Sequence, residues 1–422
     1  MSQLRVLVVG ASIAGPMTAY WLAKTGAQIT VIERFPALRT NGQQVDIRTA
    51  GVTVMGKIAG MEAAVRSKTT TMEGMTLVRS DGRPYGTLKP TGDPNQQALI
   101  SEYEILRGDL AAILYDLTKD NERIKYVFGE QVASIQQHEK ENEPVTVEFA
   151  NGYPKSEYDL VVACDGAASR TRAIGFGCGV RDHIHATNIW HAYFSTRRDM
   201  LEGRKNGEGF AAPEGRVFFV GPDPEPNVNR VGFMCAHKKN DQAGMQEFRD
   251  ALKQGDALLK NYIAKRYAGV GWKSDEVIEE MMDSKDFYGS EIMQVKVPTL
   301  HKGRFVLVGD AGYSPGPTGG GTTLAIAGAY FLAGEILRNK DNIEAGLQAY
   351  EKQMKPLTDD LQKIPPGVPG VFCPQTAWGL WLRNNIFAFL CWSGIIDFAQ
   401  RFFGNAFASA EKYKLPEYEW IH

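Results

Sequence analysis

Leu4-Arg-Val-Leu-Val-Val-Gly-Ala-Ser-Ile-Ala-Gly15 is the stretch that decides the fold. Its first half, Leu4 to Val9, is apolar, rich in valine and ended by glycine, the pattern of a short strand buried on both faces. Pro16 to Thr25 then carries helix-forming residues and stops at Gly26, and Ile29-Thr-Val-Ile32 repeats the strand signal. Strand, glycine turn, helix and second strand in this order imply a right-handed crossover and a parallel sheet. The turn reads Gly10-Ala-Ser-Ile-Ala-Gly15, and Glu33 ends the second strand 23 residues after Gly10. Gly10 permits the tight turn, Ser12 is small enough to leave the backbone close to a pyrophosphate, and Gly15 lets helix and strand approach. Through Ile13 and Ala14 the turn runs into the helix, whose N–H groups face the phosphates. Glu33 can accept hydrogen bonds from an adenosine ribose, with Arg34 placed to cover the adenine. Serine in place of the usual middle glycine competes with the phosphate for space. A serine-hydrolase elbow fits less well, because Ala14 stands where that motif needs glycine.

Working outward, 422 residues exceed one compact core and imply two packed lobes plus a tail. Hydrophobic residues make up 43%, charged residues 23%, and 47 basic against 49 acidic side chains leave a formal charge of -2. That balance, without Lys/Arg runs, lacks the electrostatic footprint of nucleic-acid or polybasic membrane binding. The cysteines (Cys164, Cys178, Cys235, Cys373, Cys391) are odd in number and scattered, which argues against a disulfide framework or zinc finger and for a reducing, cytoplasmic setting. His183-x-His185 with His191 has a superficial metal look, but no carboxylate or cysteine completes a ligand set, so no metal is expected. The apolar run from Val6 to Ala14 reads as a buried strand and not as a signal peptide. Near the other end, the apolar run from Ile386 to Ile396 is interrupted by Asp397 and falls short of the roughly 18 apolar residues of a spanning helix. It reads as a C-terminal helix packed on the body, with an interfacial helix on a membrane surface or hydrophobic partner as the less favoured alternative.

Tyr158 to Ala163 and Arg304 to Val308 look like further central strands, each ending in a small-residue turn. Residues 180 to 285 change character: Val217-Phe-Phe-Val220 and Val231-Gly-Phe-Met234 are separated by Gly-Pro-Asp-Pro-Glu-Pro, the pattern of an inserted antiparallel lobe. A helix is expected from Thr322 to Asn339, followed by a semi-rigid linker from Lys363 to Gly370. Val308-Gly-Asp-Ala-Gly312 ends a strand and Pro315-Gly-Pro-Thr-Gly-Gly-Gly321 leads into the Thr322 helix, so an acid and a helix N-terminus converge on one ligand. Asp310 suits a polyol hydroxyl. The N-terminus formed by Gly319, Gly320, Gly321 and Thr322 suits a ring system with negative charge at one edge. Cys164-Asp-Gly-Ala-Ala-Ser-Arg170 follows another strand, and Ile105-Leu-Arg107 opens a helix able to bring a guanidinium to the same ligand.

With these motifs in order, the chain resembles the FAD-dependent monooxygenases of the aromatic hydroxylase type, with the fold of p-hydroxybenzoate hydroxylase, over about residues 4 to 340. The resemblance rests on Gly10, Ser12, Gly15 and Glu33, on Asp165-Gly166 with Arg172 downstream, and on Gly309-Asp310. It implies that Asp165 and Gly166 contact FAD and the nicotinamide donor, that Asp310 binds flavin ribityl or ribose hydroxyls, and that Arg107 is the FAD-binding arginine. Val45-Asp-Ile-Arg48, with Asp46 and Arg48, would lie beside the isoalloxazine. Cys164 departs from the alanine of many relatives.

The implied architecture is α/β: a Rossmann-like FAD-binding domain with a parallel sheet, an inserted, mostly antiparallel β substrate domain, and a C-terminal helical tail. Its expected division is 1-175 and 291-360 for FAD, with strands of 70-100 joining the substrate lobe, 176-290 for substrate, and 361-422 for linker and tail. The resemblance further implies FAD, with NAD(P)H as a transient reductant and O2 as co-substrate, hydroxylating or epoxidising a small aromatic or polyketide-like molecule through a flavin hydroperoxide. An FAD-dependent oxidase or dehydrogenase on the same fold is the alternative. His191, Tyr193, Phe219 and Met234 on the lobe strands are candidates for the substrate wall, although sheet packing alone would also place them. By the resemblance Pro317 lies on the loop at the flavin's substrate side. The catalytic base and the oligomeric state are left open.

Overall fold

The computed structural model describes residues 3–39, 42–69, 72–89, 103–138, 143–364, 367–395, 413 and 415–421. A six-stranded sheet runs in the order His301–Lys302, Phe305–Leu307, Leu160–Ala163, Arg5–Val9, Gln28–Glu33 and Ile124–Phe128. Its last five strands are parallel and only the His301–Lys302 edge is antiparallel. Side-chain alternation splits the first strand between two cores. Val6 and Val8 face the helices Ala14–Ala23 and Gly321–Arg338, packing with Met17, Trp21 and Leu324. Leu7 and Val9 face a three-stranded antiparallel sheet through Val145, Val147 and Tyr158. The run Tyr158 to Ala163, expected as one strand, is two: Ser156–Tyr158 belongs to the small sheet and Leu160–Ala163 to the large one. Asp159 makes the break, because its carboxylate accepts from the backbone N–H and the guanidinium of Arg5.

A second sheet has seven strands: Tyr288–Val295, Ile184–Thr196, Asn229–Ala236, Arg216–Pro222, Gly207–Ala212, Met75–Val78 and Pro84–Leu88. All its pairs are antiparallel except Gly207–Ala212 with Met75–Val78. The inserted lobe is mostly antiparallel sheet, as expected, and the helices Gln242–Gln254, Asp256–Tyr267 and Ser274–Asp283 cover one of its faces. Their apolar stripes, including Phe248, Leu259, Ile263, Val277 and Met281, pack on Trp190, Phe194, Phe218 and Phe233. Trp190 and Phe248 stack with ring centroids 4.9 Å apart. Because strands alternate, His191 and Tyr193 must then lie on the opposite face, the one turned to the first sheet.

Two segments close the molecule. Residues 365 and 366 of the expected linker lie outside the described residues; beyond them come a short helix, Val368–Phe372, and the helix Ala377–Trp392. The latter lies across the Pro84–Leu88 strand: a Cβ added at Gly86 would come within 2.6 Å of Cys391 Sγ and 3.3 Å of Phe387 Cε1. Among the described residues no helix is long and apolar enough to cross a membrane, and Ile396 at the end of the apolar run is outside them. Residues 415–421 return to the first sheet's helices, an element the sequence reading did not foresee. There Trp420 packs 4.7 Å from Trp21, and Tyr418 donates to buried Glu335.

Candidate functional site

At the carboxyl ends of the parallel strands the glycine turn is held by backbone contacts that admit no side chain. Gly10 has φ of +108°, and a Cβ on it would stand 2.7 Å from Cys164 O. One on Gly15 would stand 1.8 Å from Gly10 O, which is the close helix–strand approach that the spacing implied. Glu33 accepts from the N–H groups of Ala11 (2.9 Å) and Phe35 (3.1 Å), so it shapes the turn and keeps lone pairs for a ligand. Across the cleft Gly309, at φ +70°, lets the Gly-Asp turn approach Ala14, whose Cβ would lie 2.8 Å from a Cβ there. The following loop is pinned to the seven-stranded sheet: Val295 N–H donates to Ser314 O, and Gln294 Nε2 to Pro315 O, each at 3.0 Å. The long helix Gly321–Arg338 then begins with its N-terminus at the cleft. Buried Thr323 clamps it to Arg48, accepting from the backbone N–H (3.0 Å) and donating to the carbonyl (3.1 Å).

The cleft so formed measures about 290 Å³, and Ser12, Ile13, Ala14, Asp46, Arg107, Gly166, Asp310, Gly319, Gly321 and Thr322 line it. Residues four loops apart in sequence thus share one wall, while Gly10, Gly15, Glu33, Gly309 and Gly320 shape the turns behind it. Asp310 owes its exposure to this cleft; surrounding protein pushes its carboxyl up, with Arg107 and Ser314 opposing. The Ser12 hydroxyl, on the cleft wall, accepts from Arg107 Nη2 at 3.0 Å.

Other expected residues sit elsewhere. Arg34 lies over the Phe35 ring at 4.7 Å, and Arg48 turns to Asp46 in a 2.9 Å ion pair. The Asp165 carboxylate is engaged by Ser169 and Thr171, so it braces its own loop. Fully buried Arg172 reaches the carbonyls of Ala311 (2.7 Å) and Val180 (2.8 Å). Pro317 is exposed on the same loop whose Pro315 and Gly316 line the cleft. Gln43, Gln44, Glu104, Cys164 and Ser314 also line the cleft and were missed as site residues; Gln43, Gln44 and Glu104 stand in no glycine-rich pattern, while Cys164 and Ser314 flank such patterns. Burial pushes the Cys164 thiol far up, which disfavours its thiolate form.

The sheet face turned to the cleft is aromatic. His191 and Tyr193 meet edge to face at 5.0 Å, and Tyr193 and Phe219 lie 5.9 Å apart. Phe219 occupies the space over Gly232, where a Cβ would come within 2.2 Å of its ring. Burial and then Arg107 lower the His191 pKa to about 4, while burial and then Glu104 push Tyr193 up, so the field of the cleft reaches this wall. Met234, beside His191 in the ladder, packs instead with Ile189, Ala236 and Cys373 toward the C-terminal helices. Among the described residues no three His, Cys, Asp or Glu side chains stand close enough to share a metal ion.

The donor set suits an extended flavin dinucleotide: an acid at a strand tip, a helix N-terminus, a second acid for polyol hydroxyls, and Gln43 Oε1, buried without a hydrogen-bond partner. The chain belongs to the family described as FAD binding domain, whose model matches residues 3–363. Within it the chain is an FAD-dependent monooxygenase of the aromatic hydroxylase-like kind. It is 32% identical to "Monooxygenase CTB7" of Cercospora beticola, over 99% of this chain and 98% of that one. It is also 32% identical to "FAD-dependent monooxygenase asL4" of Sarocladium schorii, over 99% of each chain. Among solved structures, tetracycline destructase Tet(55) superposes with a TM-score of 0.76 at 28% identity, covering 99% of both chains. Klebsiella pneumoniae HpxO, complexed with FAD and uric acid, shares the fold with a TM-score of 0.70 at 19% identity, covering 94% of this chain and 96% of that one.

Proposed function

We propose that the chain uses NAD(P)H and O2 to hydroxylate or epoxidise a small aromatic or polyketide-like molecule. The observation that carries this reading is the aromatic wall of His191, Tyr193 and Phe219 facing a cleft suited to FAD. Residues 1-175 and 291-360 would hold FAD and 176-290 the substrate, with 361-422 as linker and tail. The Gly10 to Gly15 turn would take the pyrophosphate and Glu33 the adenosine ribose; Asp310 would take the flavin side chain's hydroxyls, and the helix N-terminus at Gly321 the flavin's electron-rich edge. Bound FAD, reduced by NAD(P)H, supplies the activation of dioxygen that no side chain provides. A single dinucleotide fingerprint in the sequence fits a nicotinamide donor that visits and leaves. The protein's part is to orient the substrate ring and keep water away from the reacting centre, and the apolar wall serves both ends. Burial and Arg107 keep His191 neutral at neutral pH, so its imidazole can accept a hydrogen bond from a phenol O–H and orient the ring. The likeness to tetracycline destructases supports a polycyclic, oxygen-rich substrate.

Titration of the oxidised holoenzyme with NADH and NADPH under nitrogen, with and without a panel of phenols, tests the reading. Flavin bleaching by the nicotinamide, followed by label from 18O2 in the product, is expected. Bleaching by the organic substrate alone would replace it with an oxidase or dehydrogenase.

A further inference from the structure

The helix Ala377–Trp392 carries a cation with no partner among the described residues. Arg383 stands one turn before Phe387 and two before Cys391, the residues that rest on Gly86, so it shares the helix side turned to the seven-stranded sheet. Its Nε and Nη2 are buried and have no hydrogen-bond partner among the described residues. Burial lowers its pKa, and the groups that oppose this are Cys373 and Tyr85, neither of them a carboxylate. The thiol of Cys373 is itself pushed up to about 12, so it is uncharged at neutral pH. Next to Arg383, Asn384 is buried with its Oδ1 also unpartnered. Burying a guanidinium without an anion is costly, so an unpaired arginine under a helix calls for a function outside folding.

Its place in the seam indicates that function. Cys373 shares a buried cluster with Ile189 and Ala236, against which Met234, Val217 and Ile292 pack, and Met234 is the ladder neighbour of His191. The guanidinium therefore lies at the far end of the face that continues through His191, Tyr193 and Phe219 to the cleft. Resting on the oxygenase reading above, we propose that Arg383 recognises a delocalised oxyanion on the substrate, a carboxylate or an ionised 1,3-dicarbonyl. Two oxygens sharing one charge match the parallel N–H pair of a guanidinium. The substrate ring then lies along the aromatic wall with its reacting carbon toward the flavin.

The holoenzyme is titrated with 1-hydroxy-2-naphthoate, its neutral methyl ester and 2-acetylindane-1,3-dione, an ionised dicarbonyl, and binding is followed by perturbation of the flavin spectrum. The wild type is expected to bind at least one of the two anions about tenfold or more tightly than the ester, the gain of a charged hydrogen-bonded pair. Comparing the two anions separates carboxylate from dicarbonyl. Arg383→Met should abolish the preference, Arg383→Lys should keep part of it, and ester affinity should not move. Because no anion among the described residues pairs with the guanidinium, Arg383→Met should melt at the same temperature as the wild type or higher. No anion preference in the wild type, an unchanged preference in Arg383→Met, or a melting temperature several degrees lower in that variant would each overturn the assignment. Oxygen transfer from 18O2 is scored separately, so failure of the oxygenase reading is distinguishable from failure of anion recognition.

Discussion

Arg107 Nη2 donates to Ser12 Oγ at 3.0 Å, joining the first turn of the Arg107–Asp116 helix to the glycine turn across 95 residues of sequence. Serine at the fingerprint's middle position thereby fixes the one guanidinium that also acts on Asp310 and His191. Arg107→Ala should weaken FAD binding by about 1.5 to 3 kcal/mol, roughly 10- to 150-fold, the worth of a hydrogen bond made by a charged group. Ser12→Ala, which frees the guanidinium without removing it, should cost about 0.5 to 1.5 kcal/mol. Titration of the apoprotein with FAD, read by quenching of flavin fluorescence, measures both. Equal affinity in Arg107→Ala and the wild type would remove Arg107 from the site.

Arg172 gives a second test, because it links the Asp-Gly loop to the residue after Asp310. Its guanidinium is fully buried and spends two N–H groups on the carbonyls of Ala311 and Val180. Arg172→Met fills the space but leaves both carbonyls unsatisfied, at about 1 to 3 kcal/mol each. A clear fall in melting temperature is expected, together with weaker FAD binding, since the Gly309 to Ala311 turn loses its brace. Loss of stability with unchanged FAD affinity would confine Arg172 to the fold.

The substrate wall is tested at a glycine. Gly232→Ala would place a Cβ 2.2 Å from the Phe219 ring, which must turn away. Repacking of this kind costs about 1 to 3 kcal/mol of stability, and a displaced wall misplaces the substrate ring, so kcat/KM should fall by about 10- to 100-fold. FAD affinity should stay the same, because neither residue lines the cofactor cleft. A parallel loss of FAD would place Phe219 in the cofactor site instead.

How much of this was legible depended on what kind of contact fixes each part. The βαβ unit, the Gly309-Asp310 turn and the long helix at Gly321 are set by backbone geometry, and glycine spacing reports that directly. The three lobe helices were missed because Gly and Pro punctuation of the strands dominated the reading, and the apolar stripe of Gln242–Gln254 is sparse: only Met245 and Phe248 are buried. His191, Tyr193 and Phe219 could be placed on strands, but which face they took depended on those helices. Arg48, Asp165 and Pro317 stand in recognisable motifs, but the local partners that Arg48 and Asp165 take, Asp46 and Thr171, are set by side-chain packing that the motifs do not report. Gln43 and Glu104 belong to segments that approach the cleft only because Gln44–Asp46 pairs with Glu104–Leu106, a tertiary fact no local pattern carries.

His191 makes the last prediction, on pH. Burial and then Arg107 hold its folded pKa at about 4, below the ordinary value of 6.5. The unfolded chain therefore binds more protons than the native one between these values, and linkage makes stability rise with pH across that window. The contribution is fully present above about pH 6.5 and lost as pH falls toward about 4; between pH 7 and pH 5 it amounts to about 2 kcal/mol. His191→Gln removes the titration while keeping a polar side chain of similar size. Urea unfolding of both proteins at pH 7 and pH 5 should show the wild type losing about 2 kcal/mol more than the variant over that interval. If the two proteins lose the same amount, His191 is solvated and free to protonate, and its role as a neutral hydrogen-bond acceptor at the substrate wall falls with it.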